Sequence, residues 1–153
     1  MAREGGLRYP RGVPKTSPPP RRSGCPLNAS LEMVGDRWSL LIVRDMMLRG
    51  ASTFAEFLDG HEQIATNILA DRLARLTEDG IIEAAAHPGD GRKKIYRLTK
   101  KGIDLAPVLT EMVLWASAHE ATGNQALIRR MRDKAAFLDD VRARWQASGR
   151  GRG

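Results

Sequence analysis

The residues best suited to chemistry in this sequence are cationic. From Arg92 to Lys101 there are six basic side chains (Arg92, Lys93, Lys94, Arg97, Lys100 and Lys101) and no acidic one. Such a cluster binds polyanions through counterion release and weakens as salt rises. The same pattern also describes a solvated hairpin whose lysines guard an exposed strand edge. Asp90, two residues before Arg92, could orient that arginine toward a narrow groove of high negative potential, with Lys93 and Lys94 on flanking phosphates. Asn67 is a second kind of candidate, because its amide can pair with adenine through two hydrogen bonds. Near it, Thr66 suits a phosphate or a thymine methyl, Asp71 could accept from cytosine, and Arg75 suits the sugar-phosphate backbone, with Ala70 on the flank.

Other reactive groups are few. Cys25 is the single cysteine, so it forms no disulfide within the chain and cannot by itself build a zinc site. Arg21, Arg22 and a following helix N-terminus would favour its thiolate, whereas most such cysteines are small apolar fillers. Redox sensing would need an intersubunit or mixed disulfide. His61, His87 and His119 show no ligand spacing, so no metal site is expected. With no glycine-rich phosphate loop, nucleophile elbow or paired catalytic carboxylates, the sequence points to no enzyme and no cofactor.

These side chains need elements to hold them. A length of 153 residues with 42% hydrophobic content supports one domain. The formal charge of +7 lies in the ends: residues 1–22 hold six basic groups against Glu4, and Arg150 and Arg152 close the chain, leaving residues 23–148 balanced. No apolar run reaches the roughly 18 residues of a membrane span, and no secretory leader is visible, so a reducing cytoplasm is expected.

Periodicity supplies the elements. Leu27, Leu31 and Val34 have helical spacing, ended by Gly35. Asp36 can cap a second helix carrying Trp38, Leu41, Ile42 and Met46, which Gly50 stops. Thr53 and Glu56 have capping-box spacing ahead of Phe54, Phe57 and Leu58. A helix over about 66–79 buries Leu69, Leu73 and Leu76, so Asn67, Asp71, Ala74, Arg75 and Glu78 face outward. Ile81–Ala84, the turn Pro88-Gly89-Asp90-Gly91 and Lys93–Leu98 read as a hairpin. Thr99 caps a helix burying Leu105, Val108, Leu109, Met112 and Trp115, with a kink or late start at Pro107. After Thr122-Gly123-Asn124, one final helix spaces Met131, Leu138 and Trp145 by seven residues, with Leu127 and Val141 alongside. The fold class is mainly α with a small β-hairpin: a winged helix-turn-helix, dimerising through terminal helices.

Cys25-Pro26, Gly35-Asp36-Arg37-Trp38, Arg44-Asp45, Phe54-x-x-Phe57, Leu69-x-x-x-Leu73-x-x-Leu76-x-x-x-Gly80, Tyr96-x-Leu98-Thr99-x-x-Gly102 and Trp115 together resemble the HxlR-type winged helix-turn-helix regulators, over about residues 25–118. The resemblance implies dimeric bacterial transcriptional regulators that bind DNA, some controlled by thiol oxidation or electrophiles. The family usually opens the recognition helix with a small polar residue where this chain has Ala65, so Thr66 is expected to take the cap. Asp90-Gly91-Arg92 is closer to the related MarR-type wing.

The expected organisation is a flexible basic Pro-rich arm (1–24), the DNA-binding domain (25–121), a dimerisation helix (122–147) and a disordered tail (148–153). The expected function is a repressor acting as a homodimer on a pseudo-palindromic duplex DNA operator, with an oxidant or small-molecule effector and no membrane partner. Leu127, Met131, Leu138, Val141 and Trp145 would form the dimer interface, or else pack within their own chain. The alternative is a winged protein-interaction module that does not read DNA.

Overall fold

A computed structural model describes residues 20–150; expectations for residues 1–19 and 151–153 lie outside them. Eight helices and one hairpin follow one another: α1 (Pro26–Val34), α2 (Ser39–Arg49), α3 (Phe54–Leu58), α4 (Thr66–Glu78), β1 (Ile82–His87), β2 (Asp90–Leu98), α5 (Lys100–Ile103), α6 (Ala106–His119), α7 (Gln125–Arg132) and α8 (Lys134–Arg150). Local chemistry explains most boundaries. The Asp36 carboxylate accepts from the backbone N–H of Trp38 and Ser39 at 2.8 and 3.0 Å, capping α2. Thr53 and Glu56 close a reciprocal capping box on α3. Gly80 carries the chain out of α4 at φ +69°, a left-handed turn that side chains resist. Thr99 caps α5 by accepting from Gly102, and Pro107 sits in the first turn of α6, so the proline gives a late start and no kink.

The core gathers Ile42, Val43 and Met46 of α2, Phe57 of α3 and the leucine stripe of α4. Ile82 and Leu98 at the root of the hairpin and Ile103 and Leu109 beyond it complete the packing. Burying one such side chain contributes about 1.5–3 kcal/mol.

The C-terminal region departs from expectation. One long helix after residue 124 becomes two, because Asp133 breaks it and its carboxylate accepts from Ala136 N at 3.1 Å, starting α8. Met131 and Val141 are each 2% exposed, and Leu127, Leu138 and Trp145 pack against the chain's own core. That stripe is therefore covered within the chain. α6 shows the converse: Ala106, Leu109 and Thr110 are buried, while Val108, Met112 and Trp115, expected inside, are 45%, 50% and 67% exposed. A helix apolar on both faces can bury only one against its own domain. α8 also runs through residues 148–150, where a disordered tail was expected.

Candidate nucleic-acid interface

α4 is fixed by Leu69, Leu73 and Leu76, each at most 1% exposed. Thr66, Asn67, Ala70, Asp71, Ala74, Arg75 and Glu78 consequently face solvent together, as the helical wheel requires. The start of the helix differs from expectation. Ala65, extended at φ −68° and ψ 145°, occupies the cap position without a side-chain hydrogen bond, and Thr66 is the first helical residue. A helix starts where the chain enters αR geometry, and Ala65 is the last extended residue. The first-turn N–H groups are thus left without a side-chain cap.

Of the two acidic groups on this face, Asp71 is ion-paired. Asp71 Oδ2 lies 3.2 Å from both Arg72 Nη2 and Arg75 Nε, so one of its two oxygens pairs with two arginines of its own helix. Arg72, which sequence reasoning missed, also reaches Asp36 Oδ2 at 3.4 Å and ties α4 to the start of α2. No sequence signal could reveal that pair, because its members lie far apart in the chain. Burial pushes the Asp36 carboxyl up. Hydrogen bonds from the Ser39 hydroxyl and from the Trp38 and Ser39 N–H groups, with the charge of Arg72, outweigh burial and hold it below the ordinary carboxylate range.

The hairpin pairs Ile82 with Leu98 through Ala86 with Lys94 in register, then jumps to His87 with Asp90. Gly91, Arg92 and Lys93 are extruded by this bulge, which turns the tip outward. Arg92 is 95% and Lys93 73% exposed in its side chain, and Lys94 is exposed as well. Asp90 Oδ1 accepts from Arg92 N at 3.1 Å and lies 3.5 Å from Arg92 Nε, while Lys93 Nζ is 3.9 Å from Asp90 Oδ2. Exposed pairs of this kind contribute well under about 1 kcal/mol and leave the cations available. The other half of the basic cluster has partners on the body of the domain. Lys100 pairs with Asp104 at 2.6 Å, Lys101 donates to the Asp79 carbonyl at 2.6 Å, and Arg97 turns toward Trp145. Of the six cations Arg97 alone therefore turns inward; Lys100 and Lys101 stay exposed but paired, and Arg92, Lys93 and Lys94 stand at the tip.

Cys25 is exposed at the cap position of α1, with Pro26 opening the helix. Arg21 is not directed to the thiol as expected: its guanidinium bonds Asp79 at 2.6 Å and lies 3.8 Å from Glu32, fastening the end of the N-terminal arm. Among the described residues no three His, Cys, Asp or Glu side chains converge on a point that could hold a metal, and no helix is long and apolar enough to cross a membrane.

Known proteins share this arrangement. The chain is 34% identical over 93 residues to the HTH-type transcriptional regulator YodB of Bacillus subtilis, covering 60% of this chain and 82% of that one. The reduced form of YodB superposes with a TM-score of 0.54 at 33% identity, over 65% of this chain and 97% of YodB. The structure of PA1607 gives a TM-score of 0.61 at 36% identity, over 69% and 72% of the two chains. The oxidised form of the redox regulator HypR gives 0.56 at 26% identity, over 64% and 100%. The family model described as HxlR-like helix-turn-helix matches residues 33–124. That match covers more than half of the sequence, so the chain belongs to the HxlR-like helix-turn-helix family, whose named relatives here are transcriptional regulators and not enzymes.

Proposed function

We propose that this regulator binds duplex DNA as a homodimer, with α4 in the major groove and the hairpin tip on the adjacent backbone. The observation that carries the reading is the pairing of an exposed polar face on a leucine-anchored helix with an extruded, unshielded cationic tip directly after it. Asn67 reads a base edge near the helix start. Thr66 and the uncapped first-turn N–H groups meet phosphate, and Ala70 allows close approach. Arg75 contacts the backbone, and Asp71, held between two arginines, orients them more than it reads cytosine.

Leu27 and Leu31 on α1 and Val108, Met112 and Trp115 on α6 are large apolar side chains left exposed. A second copy covering them would set two recognition helices about 34 Å apart, one turn of DNA. The dimer face is accordingly assigned to these residues, not to Leu127, Met131, Leu138, Val141 and Trp145. Cys25 serves as a thiol sensor in this reading. Its exposure at a helix start supports that role, as do the solved reduced and quinone-bound forms of YodB and oxidised form of HypR. Treatment with diamide would join two Cys25 thiols, one per protomer, with two electrons and two protons passing to the diamide.

Selection of bound fragments from random duplex DNA, with reduced and diamide-treated protein, tests the reading. An inverted repeat with half-sites about 10 bp apart is expected, with enrichment altered by diamide. No enrichment would refute DNA reading, a single half-site would refute the dimer, and identical selections would refute the Cys25 role.

A further inference from the structure

A cavity of about 340 Å³ lies between α2, the root of the hairpin and α8. That volume falls within the about 300–1,000 Å³ typical of small-molecule sites. Its apolar wall includes Met46, Met47, Val141 and the Trp145 ring, and its cations are Arg97 and Arg144, with no acidic side chain in the lining. The two arginines differ in what neutralises them. Arg144 is paired with Asp140 at 2.9 Å and donates to the Met47 carbonyl at 3.1 Å. Arg97 has only Glu83, at 3.9 Å, and a 3.3 Å bond to the Trp145 carbonyl, while its guanidinium lies 5.6 Å from the centre of the Trp145 ring. Its Nε is buried and has no hydrogen-bond partner among the described residues. A planar guanidinium whose nearest carboxylate is 3.9 Å away, lying over an aromatic ring beside apolar volume, matches a flat acid: carboxylate at the terminal guanidinium nitrogens, ring against the thioethers and indole.

We propose that this cavity binds a small planar aromatic carboxylate, and that occupancy alters the grip of the hairpin on DNA; this second clause rests on the DNA-binding reading above. The link is structural. Trp145 Nε1 donates to the Leu98 carbonyl at 2.8 Å, and Tyr96 N donates to the Ser52 carbonyl at 2.7 Å, so both sides of the cavity hold the strand that leads to the cationic tip. The family match ends at residue 124, so the wall formed by α8 comes from the segment after it.

The full chain is titrated with benzoate, 2-naphthoate and indole-3-carboxylate, each against its uncharged amide, by calorimetry. At least one acid should saturate at least tenfold more tightly than its amide. Arg97→Leu should weaken that acid at least tenfold, and Ser148→Phe, placing a ring into the cavity from an exposed position of α8, should abolish binding. Thermal melting of the unliganded variants separates lost binding from lost fold, and Ser148→Phe keeps the test open if Arg97→Leu fails to fold. Failure of all three acids to saturate, equal binding of acid and amide, or a folded Arg97→Leu that binds like the parent would overturn the site. In a DNA titration the bound acid should shift half-saturation at least threefold in the parent and leave Ser148→Phe unchanged; an unshifted parent overturns the coupling. Arg97-dependent acid binding by a protein that retains no duplex would sink the DNA reading and leave the site standing.

Discussion

α4 and the hairpin tip face solvent in opposite electrical conditions. The four charges of α4 (Asp71, Arg72, Arg75 and Glu78) balance, and three of them are joined by ion pairs on a helix pinned by buried leucines. At the tip, Arg92, Lys93 and Lys94 outnumber Asp90 and are exposed to water, the first two on the bulge. A neutral, rigid, pre-oriented surface is suited to discriminating base edges, where hydrogen-bond geometry counts. An exposed, uncompensated cationic one is suited to affinity that ignores sequence. The difference assigns selectivity to the helix and most of the salt-sensitive grip to the hairpin.

That division can be broken experimentally. Replacing Arg92, Lys93 and Lys94 together by Ala should weaken binding to every duplex on the order of a hundredfold and flatten the log–log salt slope by about 2–3. A loss confined to the selected sequence would reverse the assignment. Asn67→Ala should cost about 1–3 kcal/mol on the selected site, relax preference at one base pair and leave the salt slope unchanged; uniform weakening of all duplexes would contradict it.

Asp36→Ala should destabilise the fold by about 1–2 kcal/mol at pH 7 through loss of the α2 cap. Because the folded carboxyl is held below its ordinary range, its contribution is full above the unfolded pKa of about 3.9 and fades as pH falls through the folded value. Chemical denaturation should show the gap between parent and variant narrowing below about pH 4; a gap that widens there would contradict the sign. Arg75→Ala, which removes an exposed i,i+4 pair with Asp71, should change stability by no more than about 0.5 kcal/mol in the same denaturation series and weaken DNA binding severalfold without changing base preference.

Features carried by neighbouring residues were legible in the sequence. The capping box of Thr53 and Glu56, the stop at Gly80, the late start at Pro107 and the outward row of α4 all follow from spacings within one or two helical turns. What periodicity could not tell was which partner covers an apolar stripe. Val108, Met112 and Trp115 were expected inside and Met131 and Val141 at an interface, whereas the structure leaves the first set exposed and buries the second within the chain. Hydrophobic spacing reports that a face seeks cover, and the tertiary fold decides what covers it. Asp133 escaped notice because a cap inside a polar run has no glycine or proline beside it. The inward turn of Arg97 and the bond from Lys101 to the Asp79 carbonyl depend on contacts the charge pattern does not contain. Of the candidate site, the outward residues of α4 and the three tip cations were readable; the restraint of Asp71 by Arg72 and Arg75 was not.

The joint grip of helix and hairpin on one duplex is tested most directly by fluorescence anisotropy of the purified chain against a random-sequence duplex pool in dilute salt. Saturable binding that falls steeply as salt is added is the expected result, whereas no retention of any duplex at the lowest salt would contradict the account.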